Sequence, residues 1–164
     1  MLFRSLTPNQ PSLWVAQSRD DIHRALDFAA EHQFAPIIVG GSESWRTLER
    51  LKAESRGIIA LVNWGDEPRV EPPANNEGLN PKSKPPLRVQ QRQLERWNEQ
   101  VANLGKIQEA GLKLAVGTEG LGEPGHLFRS LRQAIAKGLP PQAALAALTR
   151  EPATLLGLAD RLGT

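Results

Sequence analysis

Residues 36 to 42 read Pro36-Ile37-Ile38-Val39-Gly40-Gly41-Ser42, an apolar run with a proline before it and two glycines and a serine after it. A short apolar run between turn-forming residues is typical of a strand that is buried on both faces. Three similar runs occur at Leu13–Ala16, residues 58–62 and Leu114–Gly117. The sequence therefore predicts four buried strands, the second of them over residues 37–39.

The segments between these runs have the period of surface helices. The first helix is predicted to begin at Ser18, with Asp21 three residues later as in a capping box. The second begins near Ser42, and the third covers residues 89–110 and ends at Gly111. Beyond Gly120 the pattern is purely helical, over residues 126–137, 143–149 and 152–156.

This alternation of strands and helices predicts an α/β fold of four parallel βα units with right-handed crossovers and extra C-terminal helices. Four strands do not close a barrel, which takes about eight. Two architectures stay open: a flattened sheet with helices on both faces, or a half-barrel that pairs with another half. We expect a single domain over residues 1–164, in which residues 65–86, with six of the thirteen prolines, form an inserted loop.

Composition excludes several classes of protein. A net charge of +2 is too small to attract a nucleic acid, although the isoelectric point is 9.3. No apolar run is long enough to span a membrane. The absence of cysteine excludes disulfides and thiolate chemistry. Residues 1–6 do not resemble a signal peptide, so we expect a cytoplasmic protein.

Ligands of parallel α/β proteins meet the carboxyl ends of the strands, so the residues that follow each strand are the candidates for a site. These are Gln17, the turn Gly40-Gly41-Ser42, Asn63, Trp64, Thr118 and Glu119. The Gly40 turn is compatible with an anionic metabolite, because it brings free amides to a helix start. A plain strand-to-helix turn with a serine cap explains it equally well.

Glu119 is the best catalytic candidate, because a carboxylate at the mouth of a strand can accept a proton or hold a cation. His126 opens the next helix and can approach it, and the alternative is a solvated histidine at a helix end. For Glu119 the alternative is a helix cap or an ion pair with an arginine such as Arg129. His23 and His32 are nine residues apart on one helix and cannot share a metal.

Four C-terminal segments together resemble the C-terminal part of imidazolonepropionase-like members of the amidohydrolase superfamily: residues 110–121, 127–139, 144–158 and 160–163. The resemblance implies that the four strands are the last four of a (β/α)8 barrel. It implies metal-dependent hydrolysis of C–N bonds in amides or cyclic amides, with a divalent metal such as zinc.

The metal ligands of that family do not carry over to this sequence. The histidine after the fifth strand falls at Ala16 or Gln17, and that after the sixth at Gly40 or Gly41. The aspartate after the eighth strand becomes Glu119. We therefore expect a degenerate amidohydrolase that holds no metal on its own, with a homodimer or an N-terminal half as partner. The alternatives are a non-catalytic scaffold that self-associates, or a small module that binds an anionic metabolite.

Overall fold

The computed structural model describes residues 10–71 and 85–163. The expectation about a signal peptide falls on residues 1–6, outside the described residues. The predicted loop is described only at its two ends, residues 65–71 and 85–86, and these contain neither helix nor strand. Its remaining residues, 72–84, lie outside the described part.

The four predicted strands are confirmed, each within one residue at either end. They are β1 (Leu13–Ala16), β2 (Ile37–Gly40), β3 (Gly57–Leu61) and β4 (Leu114–Gly117). All three pairings are parallel, and the strands lie in the order β1-β2-β3-β4. The register places Trp14, Ile38, Ile58 and Leu114 side by side across the sheet. The predicted parallel sheet is thus confirmed.

Six α-helices accompany the strands in the described residues. They are α1 (Arg19–Glu31), α2 (Leu48–Glu54), α3 (Leu87–Glu109), α4 (Pro124–Ala136), α5 (Pro141–Leu148) and α6 (Arg150–Leu155). The capping box at Ser18 is confirmed, because its hydroxyl accepts the Asp21 amide and the Asp21 carboxylate accepts the Ser18 amide. None of these helices combines the length and the apolar character that a bilayer crossing needs.

The second helix differs from the prediction. A short 3₁₀ turn, Ser44–Arg46, comes first, and α2 begins only at Leu48. Thr47 lies between them with a φ of −138°, which is outside the helical range. The Ser44 hydroxyl donates to the Gly41 carbonyl at 2.6 Å, so the segment after β2 closes on itself before the helix begins. Trp45 and Leu48 therefore belong to two elements rather than one.

The order of the strands decides between the two architectures. Consecutive parallel strands joined by right-handed crossovers place all connecting helices on the same face of the sheet. On that face Ile38, Ile58, Ala60 and Leu114 are at most 1% exposed, in one core with Leu104 of α3. The chain is therefore a half-barrel, and the opposite face of the sheet corresponds to the interior of a barrel.

We call this opposite face the open face; it carries Leu13, Val15, Val39, Ile59 and Leu61, because side chains alternate along a strand. The chain covers the amino-terminal end of this face itself. Leu155 of α6 is 2% exposed and packs there with Ile37, Ala115 and Ile59. These residues form a second, smaller core, which closes the floor of the half-barrel.

Candidate functional site at the carboxyl ends of the strands

The parallel sheet brings the predicted site residues to the end of the sheet at which all four strands finish, which we call the mouth. Gln17 follows β1, Gly40 ends β2, Asn63 lies just beyond β3, and Thr118 follows β4. A cavity of about 220 Å³ is lined by five of the predicted residues, Gln17, Gly40, Ser42, Asn63 and Trp64. The structure therefore brings most of the predicted ligand-binding set together around one space. Gly41 and Thr118 are not in that lining.

Two residues of α3, Gln100 and Asn103, also line this cavity and were missed from the sequence. Asn103 is 2% exposed. Its Oδ1 accepts the Trp45 amide at 2.9 Å, and its Nδ2 donates to the Gly41 carbonyl at 2.8 Å. An asparagine on the buried stripe of a helix, beside Leu104, is the signal that points to such a role.

The turn after β2 is held by its own hydrogen bonds. The Gly41 amide donates to the Ala16 carbonyl at 2.8 Å, and the Glu43 amide donates to the Gln17 carbonyl at 3.3 Å. The Ser42 hydroxyl donates to the same Gln17 carbonyl at 2.9 Å. These bonds fit a strand-to-helix turn, but the serine cap of that alternative is wrong: Glu43 precedes the 3₁₀ turn, Thr47 precedes α2, and neither side chain makes a capping hydrogen bond. Anion binding at this turn stays a prediction.

The backbone conformation of Gly40 favours glycine. Its φ is +104°, in the region that side chains avoid. A Cβ added there would lie 2.6 Å from the Gln17 side chain. These are the end atoms of a flexible side chain that can move away, so the positive φ is the stronger reason for glycine at this position.

Glu119 and His126, the predicted catalytic pair, are placed differently from each other. A second cavity, of about 170 Å³, is lined by His126, Asn63, Asp66 and Arg129 among others, whereas Glu119 is exposed and is not part of its lining. Within the described residues, no hydrogen bond or ion pair joins Glu119 to His126. Both residues lie beyond the carboxyl end of β4, but they do not interact with each other.

The structure bears on both alternative roles of Glu119. Arg129 forms its ion pair with Asp66, at 3.1 Å. The N-cap position of α4 is occupied by Glu123, whose side chain makes no capping hydrogen bond. Arg129 is thus paired with a different carboxylate, and a different residue precedes α4. The catalytic role of Glu119 stays a prediction.

Trp64 is half-buried and fixes the segment that follows β3. Its Nε1 donates to the Gln133 side chain of α4 at 2.8 Å. Trp97 of α3 donates to the Gly65 carbonyl at 3.3 Å. Two indoles thus tie this segment to neighbouring helices, and Trp64 forms part of the cavity wall as predicted.

The histidines do not form a metal centre. The His23 ring nitrogen lies 2.8 Å from an Arg50 guanidinium nitrogen, and His32 stacks edge-on against Phe28 with ring centroids 4.2 Å apart. His126 lies apart from both, at the mouth. No group of three or more His, Asp or Glu suited to a metal ion occurs in residues 10–71 and 85–163. A catalytic zinc takes about three protein ligands, so the described residues do not fit one.

Comparison with known proteins shows a similarity of fold. No family model matches the sequence. No curated protein matches it. A solved structure of an amidohydrolase from Thermotoga maritima MSB8 is similar, with a TM-score of 0.67 and 20% sequence identity. The similarity covers 94% of this chain but only 34% of that chain. This chain therefore has an amidohydrolase-like fold and spans about a third of the length of the amidohydrolase that it matches.

Proposed function

We propose that this chain is a non-catalytic, amidohydrolase-like half-barrel that acts by association through its open face. The observation that carries the proposal is the exposure of that face at β1. Val15 is 75% exposed and Leu13 is 55% exposed. Their neighbour Ala16, which points toward the helices, is 2% exposed.

An apolar surface on a sheet is a typical interaction site. Beyond β1 it continues across the sheet through the half-buried Val39, Ile59 and Leu61. Contiguous apolar patches recruit other chains because burial removes them from water, and unpaired strand edges do so because they offer a row of N–H and C=O groups to another strand. Full burial of an exposed side chain of this size contributes about 1.5–3 kcal/mol, and covering Leu13 and Val15 would contribute the part that corresponds to their exposed fractions.

The composition of the mouth supports a non-catalytic role. The carboxylate that replaces the ligand of the related hydrolases, Glu119, has no second and third ligand beside it among the described residues. Without such partners a single exposed carboxylate does not fix a divalent metal.

The association is tested by light scattering on Val15→Asp, with Val89→Asp as the matched control. Val89 is 43% exposed on α3, away from the open face. We expect Val15→Asp to weaken association by about 3 kcal/mol, roughly 100-fold, because the new carboxylate would be buried without a partner. We expect the control to associate like the wild type. Equal behaviour of the two variants would contradict the proposal.

Catalysis is tested separately, by assaying hydrolysis of linear and cyclic amides with added zinc. We expect no turnover by the wild-type chain. Turnover that a chelator removes, and that Glu119→Gln abolishes in a variant that remains folded, would refute the non-catalytic role.

A further inference from the structure

We infer that the surface that covers the open face is a second copy of this chain. The two copies would be related by a two-fold axis along the barrel axis, with β4 of each next to β1 of the other. This inference rests on the proposed function and names its partner. It also makes the mouth of the sheet a site shared by both copies.

The sheet has the geometry that such closure needs. Within the described residues β1 pairs only with β2, and β4 pairs only with β3, so each outer strand has one edge without a strand partner. All strands run in the same direction. A copy rotated by 180° about the barrel axis keeps that direction, so its β4 can add to β1 as another parallel strand. Two sets of four strands give eight, the number at which side chains fill a closed barrel.

Five of the nine large apolar side chains that are exposed in the described residues lie at the two ends of the half-barrel. The β1 end carries Leu13, Val15 and Phe28. At the β4 end, α5 contacts β4, and α4 packs beside α3 and α5; Phe128 of α4 is 58% and Leu145 of α5 is 64% exposed. Between the two ends, α2 has no large exposed apolar side chain, whereas α3 carries Leu87 and Val89 at its start. This distribution is expected if one end of the half-barrel docks against the other end of a second copy.

The helices at the two ends also carry opposite charges. Helix α1 contains two arginines and four carboxylates, a net charge of −2. Helix α4 contains two arginines and no carboxylate, a net charge of +2. Docking the β1 end on the β4 end brings these helices toward each other, whereas docking like ends would oppose like charges.

The closed arrangement completes the site. The carboxyl ends of all eight strands would lie at the same end of the barrel, so the mouth would carry Gln17, Asn63 and Glu119 twice. In a single copy these residues border only half of that mouth. A ligand of the mouth would therefore meet residues of both copies.

The arrangement is tested by cross-linking single-cysteine variants, since the chain contains no cysteine. Glu31→Cys marks the β1 end, because Glu31 is exposed on α1 one turn from Phe28. Gln142→Cys marks the β4 end, because Gln142 is exposed on α5 one turn from Leu145. Both substitutions leave the apolar contacts intact. Each variant alone and an equimolar mixture are treated with a short bismaleimide.

We expect a covalent dimer in the mixture at least tenfold more abundant than in either variant alone, because identical positions lie on opposite sides of a two-fold ring. The Val15→Asp substitution, added to both variants, should remove that product. A dimer that responds to Val15→Asp, but in which identical cysteines cross-link, would overturn the closed ring and leave the proposed function standing. A wild-type monomer that Val15→Asp does not alter would overturn both.

Discussion

The smaller core beneath the open face makes a strong prediction about Leu155. This side chain is 2% exposed and packs against Ile37 and Ala115. Its Cδ2 lies only 2.7 Å from the position that a Cβ on Gly57 would occupy, so it fits closely under β3. Leu155→Ala would leave a cavity that the strands above cannot fill. We expect it to lower the free energy of unfolding by about 2–5 kcal/mol.

The measurement is urea unfolding followed by circular dichroism, with Leu87→Ala as the control. Leu87 is 41% exposed at the start of α3, and its truncation should change the free energy of unfolding by no more than about 0.5 kcal/mol. The slope with urea should be similar for both variants. If the two substitutions cost the same, Leu155 does not hold the floor of the half-barrel and the account of the second core is wrong.

Three further predictions concern the backbone and the caps. Gly57→Ala should lower the free energy of unfolding, measured with urea, by about 1–3 kcal/mol, because φ is +144° and the new Cβ would lie 2.5 Å from a backbone carbonyl oxygen. Gly125→Ala is the control and should not destabilise the protein, because its new Cβ would meet nothing within 4 Å. Asn103→Leu should cost about 1–3 kcal/mol, because one backbone amide loses its acceptor. Hydrogen bonds from Ser18, then from Arg24, lower the pKa of Asp21 from 3.8 to about 2. Its stabilising contribution is therefore present above pH 3.8 and is lost as the pH falls toward 2, so an acid titration of Asp21→Asn should show a smaller loss over that range than the wild type.

The strands and the first helix were predictable because their signals are local. A buried strand such as Ile37–Gly40 shows its apolar run directly in the sequence. The capping box needs only Ser18 and Asp21, three residues apart. The choice between a flat sheet and a half-barrel was not predictable in this way, because it depends on the order of strands in the sheet, which only the fold determines.

The position of the candidate site was predictable from the sequence, but the contacts within it were not. Parallel pairing alone places Gln17, Ser42 and Asn63 together at the carboxyl ends of the strands. Asn103, in contrast, is 62 residues from the Gly41 carbonyl that it binds, so no local pattern reveals the contact. The separation of Glu119 from His126 was equally hidden, because it depends on how the segment after β4 leads into α4.

Helix α6 covers the amino-terminal end of the open face, and the length of this helix explains why the cover does not reach β1. Helix α6 has six residues and is about 9 Å long at 1.5 Å per residue. The distance from β4 to β1 is about 14 Å, because three gaps of about 4.8 Å separate the strands. A helix that contacts β4 and brings Leu155 to Ile37 of β2 thus ends before β1. Leu13 and Val15 consequently depend on something other than α6, and in the closed ring β1 would neighbour the β4 of the second copy, which brings its own α6 to that side of the floor.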